Sequence, residues 1–234
     1  MKGMIVGQTI ELQIEALGSQ GDGIGESAGK KIYVPFTVPG DRVKILVQKG
    51  KRTKILERLA DGPERKSAAC RYFEKCGGCT MQHLSSKIYS KWKKDNLLNS
   101  LRRQKIKIPA LQPIVSVKPG TRRRVRLHFC ATQSGVIVGF NSARSHKIIS
   151  IDACPLLTNR ITQLIAPLRT VLNTCQQIGT RGELALTDTD NGIDLTIVTK
   201  QEPDLQIRNL LIDLAGKHDL ARVSWRPRKS YSQN

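Results

Sequence analysis

Residues 122–129 read RRRVRLHF, and their period of two decides the fold class of the larger part of the chain. Successive side chains of a strand point to opposite faces, so Val125, Leu127 and Phe129 share one face while Arg122, Arg124, Arg126 and His128 share the other. The first face belongs in a core and the second is cationic, which makes Arg122, Arg124 and Arg126 candidates for gripping phosphates. Thr132-Gln133-Ser134-Gly135 supplies a turn, and residues 135–140, GVIVGF, return antiparallel beside the first strand. Residues 147–151, KIISI, add another strand. Leu157, Ile161, Leu164, Ile165, Leu168, Leu172 and Cys175 then follow at helical spacing, in a helix that Pro167 is expected to kink or split. ELALTD (183–188) and IDLTIVT (193–199) flank Asp190-Asn191-Gly192, a hairpin turn; the acids there lack the order and the terminal Glu of a calcium loop. A helix near 204–217 and the strand LARVSW (220–225) complete the pattern. Mostly antiparallel hairpins with flanking helices predict an α+β domain over 85–225, and the basic tail 226–234 carries no fold signal and is expected to be disordered.

Upstream, residues 9–17, TIELQIEAL, again alternate, with Ile10, Leu12 and Ile14 facing inward. KKIYVPF (30–36), RVKILVQKG (42–50) and TKILERL (53–59) add short strands at the spacing of a small all-β, OB-like barrel, predicted for residues 1–60. The glycines between 21 and 25 precede a strand rather than a helix N-terminus, so they read as a barrel turn and not a nucleotide loop. Arg42, Lys44, Lys49, Lys51, Arg52, Lys54 and Arg58 crowd the later strands with few nearby acids, and a phosphate-facing surface is expected there. Asp61-Gly62-Pro63-Glu64 opens a linker and cysteine loop spanning 61–84. Ser85 is placed to cap a helix running to about Gln104, apolar at Leu84, Ile88, Trp92, Leu98 and Leu101 and basic on its other side.

Lysine and arginine number 39 against 19 acids, a formal charge of +20. An excess of this size attracts polyanions, and nucleic acid is preferred over a membrane because no basic amphipathic helix stands apart from the cores. Aromatic residues make up only 4%, so phosphate contacts are expected to outweigh stacking on a wide aromatic platform. No apolar run reaches the ~20 residues that span a bilayer, and the first residues do not resemble a signal peptide. A cytoplasmic monomer that binds RNA and no membrane is expected.

Six cysteines in such a chain point to metal binding or buried thiols more than to disulfides. Residues 70–79, CRYFEKCGGC, place Cys70, Cys76 and Cys79 together, and Cys154-Pro155 follows far downstream. A clustered triplet with a remote cysteine beside proline is the ligand arrangement of many 4Fe-4S sites, although four cysteines also suit structural zinc, and ordinary thiols remain a third reading. Cys130 and Cys175 are read as small core residues.

CRYFEKCGGCTMQHL (70–84) and GFNSARSHKIISIDACPLL (139–157) together resemble the cluster-bearing domain of bacterial RNA (uracil-5-)-methyltransferases of the 23S rRNA type, and the N-terminal barrel resembles the TRAM domain that precedes it in that family. The resemblance implies a 4Fe-4S cluster on Cys70, Cys76, Cys79 and Cys154, RNA (23S rRNA) as partner, and S-adenosylmethionine as methyl donor in a further, C-terminal catalytic domain. No strand, glycine-rich loop and helix unit for that cofactor is recognised here, and S-adenosylmethionine is expected to be used only if that domain is supplied. The expectation is therefore a truncated RNA- and cluster-binding portion, inactive alone; the alternative is a stand-alone RNA-binding accessory protein with a structural metal site.

Overall fold

The structure, a computed structural model, describes residues 6–48, 53–108, 110–175, 179–200 and 202–227. The chain divides into two compact units, residues 1–74 with 79–116, and residues 75–78 with 117–234.

The first unit is built on six strands, β1 (Thr9–Gln13), β2 (Ala16–Leu17), β3 (Gly23–Ser27), β4 (Lys30–Val34), β5 (Arg42–Val47) and β6 (Thr53–Ala60). They pair as two three-stranded sheets, β1-β5-β6 and β2-β3-β4, around one core of Leu12, Ile14, Ile32, Val34, Val43 and Ile45. The alternation that marks β5 in the sequence is what buries Val43, Ile45 and Val47 and turns Arg42 outward. Residues 23–25 belong to β3 rather than to a turn.

Residues 61–65 are docked onto these strands and do not act as a free linker. The Asp41 carboxylate is fully buried and accepts hydrogen bonds from the Val38 and Gly62 amides at 2.8 Å each and from Arg65 Nε at 3.0 Å. The second arm of Arg65 reaches the other Asp41 oxygen and the Phe36 carbonyl. A buried charge survives only when paired and hydrogen-bonded, and here every oxygen of the acid is used.

Helix α1 (Ser86–Arg103) starts where expected, with Ser85 Oγ accepting from the Ile88 amide at 3.3 Å. It belongs to the first unit, not to the α+β domain into which 85–225 placed it. The physical reason is a pair of side-chain anchors: Trp92 donates its indole N–H to the Gly18 carbonyl at 2.8 Å, and Asn96 donates to that of Ser19 at 3.2 Å. The expected apolar stripe is shallow, since none of the helix residues is fully buried.

The second unit is a six-stranded sheet in the order β12-β11-β10-β7-β8-β9, from β7 (Arg124–Thr132), β8 (Gly135–Asn141), β9 (Ile148–Ser150), β10 (Arg181–Thr189), β11 (Gly192–Thr199) and β12 (Leu220–Pro227). The strand that opened the sequence analysis is interior to this sheet. Leu127 faces Leu184 and Val125 faces Leu186, and these continue across β11 as Ile197 and Leu195, so one face is a continuous apolar surface. Leu127, Leu184, Leu195 and Ile197 are completely or almost completely buried. Helix α2 (Asn159–Cys175) packs against β8 and β10, and α3 (Leu205–Lys217) against β12 and α2.

Three differences from the sequence reading stand out in this unit. Pro167 lies inside α2, which is nevertheless one element of 17 residues. Strand β12 pairs parallel to β11 through the α3 crossover, the one parallel pair among the described residues of this mostly antiparallel sheet, and its register is not read from local pattern. Arg226 and Pro227, assigned to a disordered tail, are the last residues of β12.

Candidate nucleic-acid interface

The apolar face of the six-stranded sheet fixes the chemistry of the opposite one. Because partners across an antiparallel ladder share a face, Arg126 lies opposite Ala185 and Thr196, and Arg124 opposite Thr187 and Asp194. The parallel strand β12 continues these rows with Arg222 beside Asp194, Ser224 beside Thr196 and Arg226 beside Val198. Arg124, Arg126, Arg222 and Arg226 are all exposed. Two acids temper them: Glu183 sits 3.3 Å from Arg126, and Asp194 holds Arg222 in a two-pronged ion pair. The Arg222 hydrogen bond holds the Asp194 carboxyl below the usual carboxylate range, and the same pair raises the guanidinium of Arg222.

At one end of β7 this face runs into a cleft lined by Arg122, Arg123, Arg124, Thr187, Asp188 and Thr189. Its wall is rigid. Arg122 donates its amide to the Leu156 carbonyl at 2.9 Å and accepts from the Thr158 amide at 3.2 Å, tying the cleft to the start of α2. Arg123 donates from Nε to the Asp188 carbonyl at 2.8 Å and pairs with Asp190 at 3.0 Å. Asp188 is itself held by Arg160 of α2 at 2.7 Å, and the other arm of Arg160 reaches Asp219 at 2.5 Å. Arg123 and Arg160 are thus paired with acids at the surface, and the exposed Arg122 and Arg124 line the cleft beside them. A rigid concave site with outward guanidiniums is suited to phosphate oxygens, which Arg meets with two parallel hydrogen bonds.

Arg124 and Arg126 share one face of β7 with Arg222 and Arg226 of β12, whereas Arg122 precedes β7 and lines the cleft together with Arg123 and Arg124. Arg222 and Arg226 could be placed on the same face only through the parallel register of β12, which local periodicity does not carry.

The cations of the first unit are less uniform than their density implies. Arg42 and Lys54 are exposed on β5 and β6, but Lys44 is half-buried and lies between Glu11 of β1 and Glu57 of β6 in the ladder. Arg58 is within 3.8 Å of Asp61 and 3.6 Å of Glu74. Glu11 and Glu74 reach these cations from elsewhere in the chain, whereas Glu57 and Asp61 lie within three residues of Arg58 in the sequence. Lys49, Lys51 and Arg52 lie outside the described residues.

Among the described residues, no group of three or more His, Cys, Asp or Glu side chains is arranged to hold a metal ion. Cys70, Cys76, Cys79 and Cys154 are partly buried thiols, with Cys70 and Cys79 in the first unit and Cys76 and Cys154 in the second. Their surroundings are compatible with thiolate ligands: the Gly78 amide is directed at Cys76 Sγ at 3.4 Å, and backbone N–H groups stabilise sulfur ligands. Gly77 donates to the Asn141 carbonyl at 2.9 Å, and a Cβ there would stand 2.8 Å from that oxygen and 2.9 Å from the Ala143 nitrogen, so only glycine fits. Cys130 is buried, as a core residue should be; the side chain of Cys175 is outside the described residues.

Residues 5–56 match the TRAM domain family. A protein of Brucella suis named as an uncharacterized RNA methyltransferase is 35% identical over 94% of the chain and 53% of its own length. A Chromohalobacter salexigens protein named 23S rRNA (uracil(1939)-C(5))-methyltransferase RlmD is 31% identical over 92% of the chain and 46% of its own length. Among solved structures, the Pyrococcus abyssi tRNA (uracil-54, C5)-methyltransferase in complex with S-adenosyl-L-homocysteine shares the fold over 96% of the chain and 52% of that protein, at 23% identity and a TM-score of 0.60. The chain spans about half the length of the curated relatives it matches. The expectation of a truncated product, inactive for want of a domain, is not upheld: 94% of the chain aligns within a protein named as an RNA methyltransferase, and its last residue does not define what the whole protein contains. This chain is similar, along nearly its whole length, to RNA methyltransferases, and it carries a TRAM domain at residues 5–56.

Proposed function

We propose that the protein acts in the S-adenosylmethionine-dependent methylation of uracil C5 in RNA, and that the residues described above bind the RNA. The observation that carries this reading is the cleft at the end of β7, where Arg122 and Arg124 stand exposed on a scaffold already neutralised by Asp188 and Asp190. The TRAM match and the names of the relatives support the same reading. Phosphates would lie along Arg122, Arg124 and Arg126, with Arg42, Lys54, Lys51 and Arg52 adding contacts from the first unit. Sequence would be read elsewhere, because backbone contacts position a strand without specifying it. 23S rRNA is the preferred target, supported by the printed activity of the Chromohalobacter relative.

Cys70, Cys76, Cys79 and Cys154 are proposed as ligands of a 4Fe-4S cluster. Support comes from the all-thiol donor set, the Gly78 amide at Cys76 and the glycine required at 77. When bound, the cluster supplies a rigid cross-link between distant parts of the sequence; methyl transfer itself needs no electron. Protein purified without oxygen should be brown and carry about four irons per chain. A colourless protein loaded with zinc would refute the cluster.

The RNA reading is tested by measuring binding of the full chain to a uridine-containing 23S rRNA hairpin and to a tRNA of matched length. Tighter binding to the rRNA hairpin, weakened about tenfold by Arg122→Ala together with Arg124→Ala, is expected. Equal affinity of parent and variant would remove the cleft from the interface.

A further inference from the structure

We infer that the outer side of α1 is a stacking site for an unpaired nucleotide of RNA, formed by Tyr89 and Trp92 with Lys93 beside them for the phosphate. The inference rests on the RNA-binding reading and adds to it a second contact surface, distinct from the arginine cleft. Tyr89 is 40% exposed, and its ring stacks on that of Trp92 with centroids 6.3 Å apart and an interplanar angle of 26°. Lys93 Nζ lies over both rings, 5.6 Å from the Tyr89 centroid and 5.5 Å from that of Trp92.

Helix α1 buries none of its residues fully; Trp92 is half-buried, held at its edge by the hydrogen bond to Gly18 and stacked against the more exposed Tyr89. The exposed Tyr33 of β4 meets the same glycine, for a Cβ on Gly18 would stand 3.3 Å from its ring. In a chain with two tryptophans and four tyrosines, one tryptophan and two tyrosines converge on this small region.

Charge selects the partner. Along α1 the cations are Lys87, Lys91, Lys93, Lys94, Arg102 and Arg103, and the one acid, Asp95, is engaged by Lys91 at 2.6 Å. Aromatic faces flanked by lysine are how proteins hold single strands, whose bases can leave the stack and lie on a ring while the cation meets the backbone. A duplex keeps its bases stacked and would gain only the charge. An anionic membrane would want a broad apolar face, which α1 does not offer.

The test uses the full chain with Trp225→Phe, so that Trp92 is the remaining tryptophan, titrated with oligouridylate. Binding should quench the Trp92 emission. Tyr89→Ala and Lys93→Ala should each weaken binding about tenfold, while Tyr89→Phe, which keeps the ring, should bind like the parent. Both positions are exposed, and unchanged helical circular dichroism would confirm that the variants fold. Arg124→Ala should weaken binding without reducing the quench at saturation. If the parent binds oligouridylate without quenching, or if Tyr89→Ala stays within about twofold of it, the stacking site is wrong and the arginine reading stands. If the parent binds no RNA, both fall. Quenching by phosphatidylglycerol vesicles but not by oligouridylate would overturn the inference in favour of a membrane contact.

Discussion

Burial alone would hold the carboxyl of Asp41 above the usual carboxylate range, but hydrogen bonds from Arg65, Gly62 and Val38 outweigh that effect and lower it. A depressed acid contributes stability above its unfolded value near 3.8 and loses it as the pH falls through the folded one. Asp41→Ala would take from the Arg65 guanidinium, 9% exposed, its buried partner and leave it only the largely exposed Asp61, 3.3 Å from Nε. A loss of about 3–5 kcal/mol in urea unfolding is expected. His83 works on a neighbouring pH window. Desolvation by burial pushes its imidazole down to about 4 from 6.5, against the Thr37 carbonyl that lies 3.3 Å from Nε2. Between pH 6.5 and about 4 the unfolded chain takes up a proton that the folded chain refuses, so stability should decline as the pH falls across that interval. His83→Phe should flatten the pH dependence of the melting temperature between those limits, because the ring packs against the Phe36–Phe73 pair and an apolar ring can occupy the site. An unchanged slope would mean that another group titrates.

At the scale of elements, the β7–β10 ladder depends on one close approach. A Cβ on Gly182 would stand 2.5 Å from the Phe129 ring and 2.5 Å from the Val198 carbonyl, so Gly182→Ala forces strand or ring to move. Calorimetry should show a destabilisation of roughly 1–3 kcal/mol. The first unit offers a contrast between two lysines. Lys44 is flanked by Glu11 and Glu57, and Lys54 is exposed on β6, so Lys54→Ala should weaken RNA binding more than Lys44→Ala at the same salt concentration. Equal losses would show that net charge, not placement, governs the barrel's contribution. These elements also mark what can be read from sequence. The period of two in 124–129 is local, and it fixed both the buried and the cationic face of β7. The Asp41–Arg65 pair and the acids beside Lys44 depend on partners brought in by the fold, which no window of neighbouring residues contains. Helix α1 was legible in its cap and length, but its attachment rests on two side-chain bonds to carbonyls of residues 18 and 19.

For the molecule as a whole, the charge excess and the cationic strand faces point to nucleic acid, and the cysteine motif does so only through the family it resembles. The arginine rows of β7 and β12 gather four exposed guanidiniums, Arg124, Arg126, Arg222 and Arg226, on one face of the sheet. The division of the chain at residue 116 falls in a stretch, 104–121, that carries Pro109, Pro113, Pro119 and Gly120; that punctuation is a legible boundary between α1 and the sheet, and the expected domain limit at 85 passed over it. A protein that holds RNA mainly by phosphates must lose affinity as salt releases the counterion advantage, and must lose less steeply when a contact is removed. The most direct measurement is therefore the affinity of the full chain for a single-stranded, uridine-containing rRNA fragment across a salt series, for the parent and for Arg122→Ala with Arg124→Ala. The account predicts a steep linear fall of log affinity with log salt in the parent, and a slope shallower by about two in the variant. Identical slopes for parent and variant, or affinity in the parent that does not depend on salt, would contradict it.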